Sequence, residues 1–413
     1  MAKPKLALIP CTQGYFLNSV LPSDGSGDFR FGRSGKATRI NSQGLIEEVD
    51  DGVSRLNYPM IDGKVVGCPH HILEPEARNV IINSNVFTPN SNIIVNTNSS
   101  ISPDGTLNSV KVSANSGTSL KLVDTNGASS GTYRFSVFAK KGTHNIMQLG
   151  GGGIVGHANF NLETGEYSSY GSMDYYGNGW YRCSVQFLAG IPTSHYVSFS
   201  DSLSANRLST SVSDGNFYLY GMQSETTSHT TSYIPTTTTS VTRSAETANN
   251  SGDADTFNDS EGVLMAEISA LAEDSGLSRR ITISDGSTNN RLSIELDETE
   301  GLIKVFFTGN GTLNQLAKNI SDVYTPFKIL ASYELNSLKL YINGYKRTED
   351  TSIVLPNGLD DLSFDSGTGS SNFYGKTKQI QYYNSALTDS ELEQLTSWTS
   401  FTDMAQGQLY TIE

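Results

Sequence analysis

Between residues 77 and 245 no stretch carries the apolar spacing of three and four residues that a helix needs, while period-two runs recur. In Thr132 to Lys140, Tyr133, Phe135, Val137 and Ala139 fall on one side of an extended chain. Phe217 to Met222 is a second, aromatic run. A third contains Cys183, which shares a face with Tyr181, Val185 and Phe187. Glycine and asparagine punctuate the runs at Asn126-Gly127, Gly150 to Gly153 and Asn178-Gly179. Many short strands with turn signals between them predict a β-sandwich.

A second strand-rich stretch begins near residue 261. Its candidates are Val263–Ile268, Arg280–Ser284, Arg291–Leu296, Leu302–Thr308, Phe327–Tyr333, Ser337–Ile342 and Thr377–Tyr383. Asn343-Gly344, directly after Leu338, Leu340 and Ile342, predicts a tight hairpin. Thr388-Asp-Ser-Glu391 is a capping box, and Leu392 and Leu395 give the helix behind it an apolar side. The Thr- and Ser-rich stretch 225–250 contains Pro235 and reads as an extended connector, with Asn249 to Asp255 a loop or boundary. Residues 1–76 show few periodic segments and make a poor core of their own, so they read as an extended arm that orders against something else. The expected architecture is all-β: an N-terminal segment 1–76, a first sandwich 77–246 and a second sandwich 247–413 with one short C-terminal helix.

Charge sharpens this division. The chain carries a net −14, and only 17% of its residues are charged against about 25% in ordinary soluble domains. With 20 Tyr and 17 Phe it does not read as disordered. Residues 1–46 hold six cations and two acids, a net of +4, which leaves −18 for the remainder. A basic head on an acidic body suits docking on an acidic partner; six scattered cations on a loop-rich segment is the competing reading. Overall acidity excludes nucleic acid as a partner. No apolar run approaches the roughly 18 residues of a membrane span, so no membrane insertion is expected. Lys3 and Lys5 precede only Leu6 to Ile9 before Pro10, too short an apolar stretch for a signal peptide. Synthesis in the cytoplasm without export is therefore expected. The cysteines Cys11, Cys68 and Cys183 are too few for a disulfide framework, and Cys183 reads as a buried thiol.

Three groups of motifs carry a resemblance. The first is Val20-Leu-Pro-Ser-Asp-Gly-Ser-Gly-Asp-Phe, Arg33-Ser-Gly-Lys-Ala-Thr-Arg-Ile-Asn and Gly44-Leu-Ile-Glu-Glu-Val. The second is Leu73-Glu-Pro-Glu-Ala-Arg-Asn. The third runs from Gly177-Asn-Gly-Trp-Tyr-Arg-Cys through Tyr220-Gly-Met-Gln-Ser-Glu and Thr231-Ser-Tyr-Ile-Pro-Thr-Thr to Val241-Thr-Arg-Ser-Ala-Glu. In this order they resemble tailed-bacteriophage virion structural proteins of tail-fibre, head-fibre or minor-capsid type. One departure is the ending of the second group, where Gln-Arg-Thr-Asn is more usual. The resemblance covers most of the chain. It implies a virion anchor in 1–76, with Arg30, Arg33, Lys36 and Arg39 as anchor candidates, then a carbohydrate-binding-module-like jelly roll. The C-terminal part, ending in Tyr382-Tyr-Asn-Ser-Ala-Leu-Thr-Asp-Ser-Glu-Leu, is similar to concanavalin A-like (laminin-G-like) domains. Implied with it are virion localisation, other capsid or tail proteins as partners, adhesion to host-surface glycans, and a homo-oligomer, trimers being common among such appendages. The rival readings are a glycan-cleaving hydrolase and a cellular surface lectin.

No catalytic residue is expected. Glu295-Leu-Asp-Glu-Thr-Glu300 matches the spacing of laminarinase-type hydrolases, with Glu295 as nucleophile, Asp297 as its helper and Glu300 as acid/base. Retaining chemistry needs two carboxyls about 5–5.5 Å apart on one face. Leu292, Ile294 and Leu296 alternate and then stop, which predicts strand, turn, strand, with the acids on a solvated hairpin tip. His70-His71 point to opposite sides of any strand, and Gly150 to Gly153 lacks a Walker lysine. Asp360, Asp361 and Asp365 read as solvated loop acids, with calcium as the alternative and no other cofactor expected. For sugar, aromatic faces are the signal. Tyr167, Tyr170, Tyr175, Tyr176 and Trp180 cluster, and Trp180 and Arg182 fall opposite the apolar face of their strand. Tyr170, Tyr175, Tyr176, Trp180 and Arg182 are the glycan-binding candidates if that face is an exposed platform. The preferred alternative has Trp180 plugging the sandwich edge and the tyrosines packing between strands. Tyr341, Tyr345, Phe373 and Tyr374 are weaker candidates in the second sandwich.

Overall fold

A computed structural model describes residues 3–89, 92–118, 121–128, 131–151, 156–189, 193–209, 211–227, 229–271, 278–297, 301–320 and 322–407. The chain is all-β, with two sandwiches in the expected order.

The first sandwich packs a six-stranded sheet on a four-stranded one. The larger has the spatial order Ile93–Asn96, Val110–Thr118, Ser211–Glu225, Gly131–Lys141, Trp180–Ala189, Gly171–Tyr175. The smaller runs Lys121–Ala128, Thr193–Phe199, Ile146–Gly151, His157–Asn161. Alternation places Phe135, Val137, Cys183 and Val185 in the core with Met147, Leu149, Phe160 and Val197. Asn178-Gly179 turns the chain with both φ positive, joining Gly171–Tyr175 to Trp180–Ala189. Asn126-Gly127 instead lie within the strand Lys121–Ala128, where its register shifts between Asp124 and Ala128. Gly150 and Gly151 are likewise strand residues, and the rings of Tyr196 and Phe187 approach them too closely for a Cβ. Gly152 and Gly153 lie outside the described residues.

The second sandwich faces a five-stranded sheet against a nine-stranded one. All seven strand candidates are present, and the described residues add three more, Thr312–Asn319, Tyr345–Asp350 and Asp361–Ser363. Asn343-Gly344 has φ of 48° and 82°, the two left-handed residues of a tight hairpin turn. Helix Asp389–Thr396 has Thr388 as N-cap and a reciprocal bond from Glu391, and it covers Val263, Met265 and Tyr341 with Leu392. A second short helix, Phe401–Gly407, was not expected; its start is marked by Ser400, whose Oγ accepts from Asp403 N.

Residues 1–76 depart most from expectation. Four of their strands join the nine-stranded sheet of the second sandwich, while the hairpins Ala37–Ile40/Ile46–Val49 and Met60–Ile61/Lys64–Val65 lie against the first. Leu6–Leu8 pairs with Ile380–Tyr382, and Ile72–Leu73 pairs with Gly375 and Lys376 of the same strand, Gly375–Tyr383. Phe29–Gly32 pairs with Thr247–Asn249. Leu6, Leu8, Leu17, Phe29 and Leu73 enter the core beside Leu264, Ile281 and Ile380. Burial of each such side chain contributes about 1.5–3 kcal/mol, so the segment finds its partner in its own chain.

Candidate functional site

Five buried charges fasten this junction. Glu246 accepts from Arg33 Nη1 at 2.9 Å, from Arg55 through both oxygens, and from Glu74 N at 2.8 Å. Glu74 bonds Arg243 at 2.6 Å and Arg55 at 2.8 Å, and accepts from Ser232 N at 2.9 Å. Burial pushes the Glu74 carboxyl up, but Arg243 and Arg55 outweigh it and hold it well below the usual range. Burial likewise opposes the Arg55 charge, and Glu246 and Glu74 override it and raise its pKa. Several motifs that carry the phage resemblance therefore supply an internal clasp. This corrects the reading of Arg33 as a docking cation. Arg39 is also engaged, with Glu47 at 2.8 Å and with Leu56 O at 2.9 Å. Lys36 is exposed beside Glu48 at 3.4 Å, and Arg30 points outward from Phe29–Gly32.

Above the clasp lies a cleft of about 760 Å³, walled by three parts of the chain. Its floor is the outer face of the six-stranded sheet, where Arg134 is opposite Gln186 and Arg182 is opposite both Asp174 and Phe138. One wall is the N-terminal segment from Asn57 to Met60 with His70. The connector Thr230–Tyr233 and Lys376 of the second sandwich complete it. The hairpin Met60–Ile61/Lys64–Val65 docks at the rim through Gly63. A Cβ there would lie 2.4 Å from Gly177 Cα and 2.7 Å from the Tyr175 ring, and its φ is +70°.

The candidates divide across this surface. Tyr175 and Tyr176 line the cleft. Tyr175 is 37% exposed, with its ring 4.8 Å from Tyr181, and its hydroxyl accepts from Gly179 N. Tyr176 meets Phe138 edge-on at 5.0 Å. Arg182 also lines the cleft but is 5% exposed; it donates to Thr231 O at 2.7 Å and sits 5.2 Å over the Phe138 ring, while its Nε has no hydrogen-bond partner among the described residues. Trp180 is no platform. It is 2% exposed, packed with Ile46, Phe138, Tyr220 and Tyr233, and its Nε1 donates to Ile101 O at 2.9 Å. Hairpin Ala37–Ile40/Ile46–Val49 and Tyr233 cover that part of the sheet. Tyr170 is 65% exposed with φ +68°, outside the cleft. In the second sandwich Tyr341 and Phe373 are buried and Tyr345 is exposed.

Asp174 and Lys376 are the charged residues that sequence reasoning missed. Neither side chain makes a hydrogen bond or an ion pair within 4 Å among the described residues. Asp174 is open to water, yet the walls crowd out bulk solvent. This desolvation raises its carboxyl, with Arg182 and Lys376 opposing. Desolvation lowers the Lys376 ammonium, with Asp174 and Glu74 opposing and Lys378 adding to it. His70, buried and near Lys376 and Lys378, is held well below its usual value and stays neutral. Asp174 alternates with Ser172 on an edge strand and was legible as outward-facing. Lys376 was not, because only the tertiary fold brings it there.

Glu295 is not on a solvated tip. It is buried in strand Arg291–Asp297 and bound by Arg280, whose guanidinium stacks 4.4 Å over Phe306. Glu298, Thr299 and Glu300 lie outside the described residues. Asp361 bonds Ser363, Asp365 accepts from Gly367 N, and no group suited to a metal ion occurs among the described residues.

A scan of protein-family models and a search of curated proteins match nothing to this sequence. Among solved structures, the chain is similar to the CBM40 of the Ruminococcus gnavus IT-sialidase bound to α2,3 sialyllactose, with 15% identity over 34% of this chain and 84% of that one, TM-score 0.30. It is also similar to the K499G mutant of NanB sialidase from Streptococcus pneumoniae, with 18% identity over 35% and 25%, TM-score 0.31. Domain 4 of AbnA, a GH43 extracellular arabinanase from Geobacillus stearothermophilus in complex with arabinotriose, gives 13% identity over 37% and 73%, TM-score 0.31. These likenesses extend over about a third of the chain and assign it no ligand.

Proposed function

We propose that the chain is a non-catalytic glycan-binding protein whose saccharide lies in the cleft between the two sandwiches. The observation that carries this is the pair Asp174 and Lys376, two charged side chains in no ion pair among the described residues, at a concave surface that also offers Tyr175 and Tyr176. A carboxylate accepts sugar hydroxyls, an ammonium donates to them, and a tyrosine ring covers a pyranose face. The engagement of Glu295 by Arg280 supports the non-catalytic reading, since a nucleophile must reach its substrate. A glycan array on the full chain tests it: binding to a defined saccharide class that Tyr175→Ala weakens is expected, and no binding to any glycan would overturn it.

The virion role is part of this reading and rests on the sequence motifs. Since the clasp uses Arg33 internally, attachment to capsid or tail proteins falls to the outer surface of residues 1–76. That surface exposes Tyr15, Phe16 and Val20 with Arg30 and Lys36. Immunogold labelling of particles tests this, with label on the virion expected; the homo-oligomer is tested by native mass.

A further inference from the structure

We infer that the cleft takes an acidic saccharide, one whose carboxylate is held between Lys376 and Arg182; this rests on the glycan-binding reading above. Arg39, Arg134, Arg182 and Lys376 line the cleft, against Asp174 and Glu74. Arg39 is taken by Glu47 and Arg134 is engaged within the chain, so Arg182 and Lys376 are the cations that a ligand would meet. The Glu74 carboxylate is consumed by Arg55 and Arg243, so it leaves Asp174 as the anion available to a ligand. Lys376 forms no ion pair within 4 Å among the described residues, and only the more distant charges of Asp174 and Glu74 favour it. Arg182 is buried, its Nε carries an unsatisfied donor, and its Nη1 is fixed by Thr231 O, so the guanidinium plane is set before any ligand arrives. A buried charged donor left unpaired is destabilising, and a ligand carboxylate would recover part of that at this site.

The global field points the same way. The chain carries −14 overall, so its surface repels anions in general. A cation-rich recess in an acidic protein selects the anionic group by position. Asp174, on the same sheet face, then sets orientation. It repels the carboxylate from its own side of the floor and accepts hydroxyls there, so acid and hydroxyls are read at opposite ends.

The test is a titration of the full chain with matched pairs: trigalacturonate against its methyl ester, and sialyllactose against lactose. The two pairs distinguish uronate from sialate as the source of the carboxylate. At low salt one acidic member is expected to bind at least about tenfold tighter than its neutral partner. Lys376→Met is expected to bring that ratio near one, because it weakens the acidic member far more than the neutral one. Asp174→Asn is expected to raise the ratio, because it removes the opposing charge and weakens hydroxyl recognition. Equal binding of acidic and neutral members by the wild type overturns the acidic preference and leaves the glycan site standing, as does a preference that Lys376→Met retains. Binding of no saccharide overturns both.

Discussion

Glu74 and Arg243 lie 169 residues apart in sequence and meet at 2.6 Å in the interior. Glu74 precedes the strand Ala77–Asn79 and Arg243 ends its partner Val241–Arg243, so their contact closes the first sandwich at its base. Arg55 then joins Glu74 to Glu246 and thereby ties that base to the N-terminal segment.

Removing one member of this clasp leaves the others charged and buried. Glu246→Ala strands Arg33 and Arg55, and a loss of about 3–5 kcal/mol is expected. Urea unfolding followed by tryptophan fluorescence measures it. Lys36→Ala, which breaks only the exposed contact with Glu48, is expected to leave the midpoint unchanged.

Stability should fall with acid in a defined window. Burial lowers the imidazoles of His71 and His195 to about 4. An unfolded histidine titrates near 6.5, so the unfolded chain takes up protons first as pH drops. The stabilisation is full above about 6.5, drains between about 6.5 and 4, and levels off below the folded value. Glu74, with its folded pKa depressed, adds a further loss as pH falls from the unfolded carboxyl range through its folded value. Among the described residues His195 has no hydrogen-bond partner on either nitrogen, and it lies between Phe135 and Phe187. His195→Phe is therefore expected to flatten the slope between pH 6.5 and 4 by on the order of 3 kcal/mol; an unchanged slope would place the titration elsewhere.

Gly63→Ala adds a methyl where Gly177 Cα stands 2.4 Å away and where φ is +70°. A loss of about 1–3 kcal/mol is expected, the range of a backbone held in a disfavoured conformation. Because this turn forms the cleft rim, limited proteolysis should cut the segment 58–66 faster in the variant, with the sandwich cores still protected.

Thiol labelling should read two cysteines in the native protein and three after unfolding. Cys11 and Cys68 are exposed, whereas Cys183 is buried and its thiol is pushed well above its usual value by desolvation. Fast labelling of all three would contradict the core assignment.

Strand alternation in Tyr133 to Ala139 and the capping box at Thr388 were readable because each is settled within a few residues. The same holds for the Asn343-Gly344 turn. Residues 1–76 were misjudged because the strands Leu6–Leu8 and Phe29–Gly32 each pair with a strand more than 200 residues away. Trp180 shows the matching limit at the site. Period two places it on the outer face, but only the fold shows that Ile46 and Tyr233 cover that half of the sheet and leave Arg182 and Asp174 beside open space.

The glycan site is tested most directly at its two unpaired charges. Isothermal titration of the tightest array ligand into the wild type and into the double variant Asp174→Ala, Lys376→Ala compares them, with thermal melting as the control for folding. Each charged hydrogen bond is worth about 1.5–3 kcal/mol, so a loss of about 100-fold or more is expected at unchanged melting temperature. An affinity equal to the wild type in a folded double variant would contradict a saccharide site in this cleft.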